Sequence, residues 1–180
     1  RGRGAVPAAG GRGGACRARN RGGQGPRVAS AGEGAGGMGT PGVAGKVAEA
    51  VIRGAGGRPV TVKFRLGWDK GSINCVEFAQ AMEEAGVAAV AVHGRTKAQL
   101  YQPGADWEII KQVKEAVSIP FIGIGDVMSA QDAAQMYRQP GYDLVEVARG
   151  CSGRPWYFAD MPPYLETGTL PPEHSQDYIL

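Results

Sequence analysis

The sequence predicts an α/β fold built on parallel strands. Short apolar, β-branched runs alternate with longer segments of helical periodicity. Helices of that length serve as crossovers between parallel neighbours. Each run also ends in polar, cationic or glycine residues, and ligands gather at that edge of parallel sheets. Four such strand–helix units fit half of a (β/α)8 barrel or an open doubly wound sheet. No GxGxxG fingerprint follows the first strand, which weighs against the dinucleotide-binding version of the open sheet.

The elements follow in order. VAGKVAEAVI, from Val43, spaces its apolar residues as a helix does. Pro59 and Val60 open a strand that ends near Leu66. Ile73 to Ala85 is an amphipathic helix, with Gly86 placed to cap its C-terminus. VAAVAVHGR, from Val87, is the second strand, and ADWEIIKQVKEAV, from Ala105, is the next helix. Pro120 opens the third strand, PFIGIGDV. Ser129 and Asp132 have the spacing of a capping box ahead of AQDAAQMY. LVEVARG, from Leu144, is the fourth strand. RPWYFADMPPYLETG reads as a short helix broken at Pro162-Pro163.

Residues 1–40 differ in texture. They contain no Leu, Ile, Phe, Tyr or Trp, and Gly, Arg and Ala dominate. Such a segment buries too little apolar surface to offset its ordering entropy, so it reads as disordered. It holds seven Arg against the single acid Glu33, while the remainder of the chain has a net charge of −3 against +3 overall. An RNA-contacting Arg/Gly arm is one reading; a mis-translated or frame-shifted stretch is the other. The chain does not begin with Met, so a fragment is expected. Residues 41–165 then form the half barrel, and 166–180 begin a linker toward a missing helical domain.

Composition excludes several classes. No run of about 18 apolar residues is present, and no signal-peptide pattern opens the chain. Cys16, Cys75 and Cys151 are odd in number and lack CxxC spacing. With only His93 and His174 beside them, a structural metal site is not expected. Reduced thiols fit a cytoplasmic protein.

Candidate chemistry sits at the strand ends. VTVKFRLGW places Lys63 and Arg65 two residues apart, on one face with Thr61. Val62, Phe64 and Leu66 take the opposite face, beneath the helices. His93 shares its face with Ala89 and Ala91, small residues suited to a crowded barrel interior. A cation facing inward suits an anionic ligand; an ion pair with Glu146 on the fourth strand is the alternative. Gly125 and Arg149 suit a phosphate, with backbone amides and a guanidinium as donors. A tight turn and a surface salt bridge are their plainer readings.

These motifs carry a resemblance. K-x-R-x-G-W at Lys63–Trp68, V-H-G-R-T at Val92–Thr96, A-D-W at Ala105–Trp107, GIGD at Gly123–Asp126 and GRPWYF near the end resemble the B-type bacterial tRNA-dihydrouridine synthases. The resemblance covers about residues 41–180. It implies the last four β/α units of a (β/α)8 barrel that binds FMN, with NADPH as reductant and tRNA as partner. Uridine would be reduced to dihydrouridine, with hydride delivered to C6 and a cysteine acid protonating C5. It places Lys63 and His93 beside the flavin, and Ile124, Gly125, Asp126, Ala148 and Arg149 in the cofactor cradle. Arg65 and Arg95 would hold phosphate or guide RNA.

Three departures stand out. Ile124 replaces the Asn of the family's N-G-D, and Ala148 replaces the Gly of its G-R pair. The family's catalytic Cys falls, in register, on Gly23, so no catalytic residue is assigned and the chain is expected to lack full activity. Two other readings are a different FMN- or phosphate-binding barrel enzyme, and a non-catalytic RNA-binding protein using its Arg/Gly arm. A half barrel also exposes strand edges, so self-association is expected.

Overall fold

A computed structural model describes residues 34–102, 104–138, 142–154, 156–170 and 172. Gly23, Cys16, His174 and nearly all of the Arg/Gly-rich segment lie outside the described residues.

The elements alternate as α1 (Pro41–Gly54), β1 (Thr61–Arg65), α2 (Cys75–Glu84), β2 (Ala89–His93), α3 (Trp107–Glu115), β3 (Phe121–Ile124), α4 (Ala130–Arg138), β4 (Leu144–Glu146) and α5 (Tyr157–Thr167). The four strands pair in sequential order, all parallel. Each crossover carries a helix, as in consecutive units of a (β/α)8 barrel. The sequential order leaves no point where strand order reverses, which is where an open doubly wound sheet would place its ligand. The α/β half-barrel expectation therefore holds.

The core lies between the sheet's outer face and the helices. Phe64 from β1 and Leu66 just after it, Val90 and Val92 from β2, and Phe121 from β3 are all buried there. They meet Phe78 and Met82 of α2, Ile110 and Val113 of α3, and Met136 of α4. The Phe64 and Phe78 rings pack 4.9 Å apart, and Phe121 packs on Tyr142 at 5.6 Å. Alternation along β1 is what sends Phe64 outward to this core and Lys63 and Arg65 to the other face.

Helix ends follow their local chemistry. After α2 the amide of Gly86 bonds Glu83 O and that of Val87 bonds Met82 O, closing a Schellman motif around Gly86 at φ +87°. The Asp106 carboxylate accepts from the Ile109 amide at 3.0 Å and starts α3. Ser129 and Asp132 form the reciprocal box: the Asp132 amide donates to Ser129 Oγ, and the Ser129 amide donates back to Asp132 Oδ2.

Three boundaries differ from the sequence reading. Residues 34–39, read as part of the irregular segment, form a 3-10 turn, and Met38 is buried at 2% exposure. Asn74 Nδ2 donates to the Met38 carbonyl at 2.6 Å, an anchor no local pattern announces. The fourth strand stops at Glu146, and Arg149–Cys151 form a 3-10 turn instead. Helix α5 runs through Pro162 and Pro163 rather than breaking there. Both prolines forgo an amide donor, yet their fixed φ is helical, and Met161 and buried Tyr157 seat the helix against the molecule. It ends at Gly168, φ +72°.

Candidate cofactor and anion site

Strand register builds the site. Arg65, His93, Ile124 and Glu146 are successive register partners and form one row across the sheet. Lys63, Ala91, Ile122 and Leu144 form a second row, one side-chain layer away on the same face. Small Ala91 opens space between Lys63 and the isoleucines. The first row sits at the C-terminal ends of the strands, next to the loops that follow them.

A cavity of about 650 Å³, counting its open mouth, lies against these rows. Lys63, Arg65, His93, Ile124, Gly125, Asp126, Ala148 and Arg149 all line it, and so do Tyr101 and Glu146. Lys63 and His93 thus face one space, not opposite sides of the sheet. Arg95, expected near phosphate or RNA, does not line it. Its side chain is 2% exposed and ion-paired to Asp126 at 2.6 Å. β2 ends at His93 and the chain turns at Gly94, so that Arg95 is buried in the wall.

Gly94 and Gly125 allow that turn. The Gly94 amide bonds Ile124 O at 2.9 Å, and the Asp106 amide bonds Gly94 O at 2.7 Å. Gly125 has φ +144°, and a Cβ there would stand 2.5 Å from the Ala105 Cβ. Glycine is therefore required by the close approach of the β2–α3 loop. The Gly125 carbonyl accepts from Trp107 Nε1 at 3.1 Å, fixing the same junction.

The electrostatics favour an anion. Burial, then the charges of Arg65, Lys63 and Arg95, depress the His93 pKa to about 3. Its imidazole is neutral at physiological pH because a proton there would be buried and would meet three cations. Asp126 opposes them only in part. Burial pushes its pKa up, but the Ala105 amide and the guanidinium groups of Arg95 and Arg149 outweigh that, so the net shift is downward and the carboxylate stays ionised. Arg65 anchors through Nη1 to the Thr96 carbonyl at 2.9 Å.

Two contributors were not singled out from sequence. Tyr101 lies under Arg149, ring centroid to guanidinium carbon 4.5 Å. It stands eight positions after His93 in the loop that follows β2, and only the fold brings it to Arg149. The Ala105 amide donates to Asp126 Oδ2 at 2.8 Å and cannot be read from a side-chain pattern at all. The two cysteines among the described residues lie away from the cavity. Cys75 is fully buried, and burial pushes its thiol up to about 11. Cys151 bonds the Ala148 carbonyl at 3.1 Å, and neither cysteine lines the cavity. Among the described residues no cluster of His, Cys, Asp and Glu could hold a metal, and no helix is long and apolar enough to cross a membrane.

The family model of dihydrouridine synthases matches residues 20–178. This chain belongs to the dihydrouridine synthase family. The tRNA-dihydrouridine synthase B of Vibrio vulnificus is 45% identical over 115 residues, covering 64% of this chain and 36% of the relative. The Pseudomonas aeruginosa protein of the same name is 44% identical over 123 residues, covering 68% and 37%. That of Xanthomonas campestris pv. campestris is 42% identical over 134 residues, covering 74% and 40%. The chain therefore spans well under half the length of these curated relatives. The resemblance read from K-x-R-x-G-W and V-H-G-R-T is borne out, and those motifs supply Lys63, Arg65 and His93 to the two rows.

Proposed function

We propose that this chain forms the FMN-binding wall of an enzyme that reduces uridine to dihydrouridine in tRNA, with NADPH as reductant and the cytoplasm as its location. Family membership supports the reaction class. The observation that carries the cofactor assignment is the convergence of Lys63, Arg65 and Arg149 on the cavity that holds a neutral His93. A concave site with excess positive charge and glycine at its rim fits a flavin mononucleotide, whose ring and phosphate both gain from cations.

In this reading Arg149 holds the phosphate as a charge-assisted donor. Lys63 lies in the row next to that of His93, where its charge favours negative charge on the ring system. His93, neutral, can donate or accept a hydrogen bond without adding charge. Ile124 supplies apolar contact. FMN, when bound, supplies the hydride equivalent for C6 of uridine. The proton for C5 needs an acid, and the expected cysteine position is Gly23. The chain is therefore expected to bind flavin better than it turns over.

The test is FMN retention together with tRNA assay. Purified chain mixed with FMN and desalted should keep about one flavin per chain, and dihydrouridine formation in unmodified tRNA should be weak or absent. Loss of all flavin on desalting, with no saturable binding by fluorescence, would remove the reading.

A further inference from the structure

Arg95, Asp126 and Arg149 form a linked unit that spans the wall and the cavity. Arg95 Nη2 donates to Asp126 Oδ2 at 2.6 Å, and Arg149 Nη2 donates to the other oxygen, Oδ1, at 3.0 Å. The Ala105 amide shares Oδ2 at 2.8 Å. The two ends differ sharply in environment. Arg95 is 2% exposed, whereas the Arg149 side chain is 49% exposed, lines the cavity and rests on the Tyr101 ring. Asp126 itself sits at φ +53°, a backbone setting uncommon outside glycine, which aims its carboxylate between the two guanidinium groups.

We infer that Arg95 is a positioning residue that acts through Asp126: it neutralises the carboxylate from behind, so that Asp126 aims Arg149 into the cavity while leaving Arg149's charge available to a phosphate. Charge counting gives the reason. With both arginines present the unit is a net monocation. Without Arg95, Asp126 and Arg149 cancel, and an incoming phosphate has to compete with the carboxylate for the same guanidinium. Arg95 thus contributes to anion binding from a position the anion never reaches. The inference rests on the reading of Arg149 as the phosphate contact, and the experiment separates the two.

The readout is the ratio of riboflavin to FMN dissociation constants, measured by flavin fluorescence on the full chain. Riboflavin lacks the phosphate, so the ratio isolates that contact. Wild type should prefer FMN, and Arg149→Gln should lower the preference by about tenfold or more, the scale of one charge-assisted hydrogen bond. No preference in wild type, or none lost in Arg149→Gln, overturns the phosphate reading and the inference with it. If Arg149→Gln behaves as stated, Arg95→Met should also lower the ratio about tenfold with riboflavin affinity unchanged, and Arg95→Lys should recover most of it. A ratio unchanged in Arg95→Met overturns the inference alone. Because Arg95 is buried, Arg95→Met can fail to fold; the partly exposed pair Asp126→Asn and Arg149→Gln then decides. Asp126→Asn should change the ratio when Arg149 is present and leave it unchanged in the Arg149→Gln background. Equal effects in both backgrounds overturn the coupling.

Discussion

His93 shows how a single side chain reports on the charges around it. Its folded pKa of about 3 lies below the ordinary 6.5, so the unfolded chain takes up a proton that the folded chain refuses. The stability tied to this group is complete above pH 6.5 and is lost as pH falls from there toward 3. His93→Asn should therefore flatten the acid side of the stability profile. Urea denaturation at pH 7 and pH 5 measures it: wild type should lose more stability between the two than the variant, and equal losses would contradict the assigned environment. Gly125 makes a second claim at this scale. A Cβ at φ +144° would meet Ala105 at 2.5 Å, so Gly125→Ala should destabilise by about 1–3 kcal/mol. A denaturation midpoint unchanged by the substitution would show that the loop can move aside.

The helices and strands were legible from sequence where periodicity and caps agree. The Ser129–Asp132 box and the Gly86 cap are short-range hydrogen-bonding patterns, and both take the form their spacing dictates. Ser129→Ala should cost about 1 kcal/mol, read as a lowered melting temperature, whereas Asp132→Glu, which keeps a carboxylate, should cost less. Equal and negligible shifts in both would mean that packing alone holds α4. The less legible parts depend on distant partners. Met38 is ordered by a bond from Asn74, 36 positions away. Helix α5 survives two prolines because its packing outweighs their missing donors. β4 ends early because the chain turns at Ala148 into the loop that carries Arg149. Within the site, parity placed Lys63, Arg65 and His93 on one face from sequence alone. It could not tell that Arg95, next but one to His93, would turn into the wall, since that depends on the Gly94 and Gly125 junction.

The molecule as a whole presents a parallel sheet whose outer strands, β1 and β4, each pair on one side only among the described residues. The face that carries the cavity is likewise open: Lys63 is exposed, and Leu144, at the other end of the same row, is 57% exposed. Unpaired strand edges next to exposed apolar side chains favour self-association. Sedimentation velocity across a concentration series should show species larger than the monomer, and Leu144→Lys on β4 should shift the distribution back toward monomer. A monomer at every concentration would show that the edges are protected. The same open face bears on the cofactor, because half a wall can still supply the cations that a flavin phosphate and ring require.

The most direct measurement of that central claim is a titration of FMN into the chain, followed at the His93 imidazole by NMR. A shift of the His93 signals that saturates near one equivalent of FMN, and that weakens in Arg149→Gln and Lys63→Met, is the predicted result. Saturable FMN binding that leaves His93 untouched, or no binding at all, would contradict a single cavity shared by these residues.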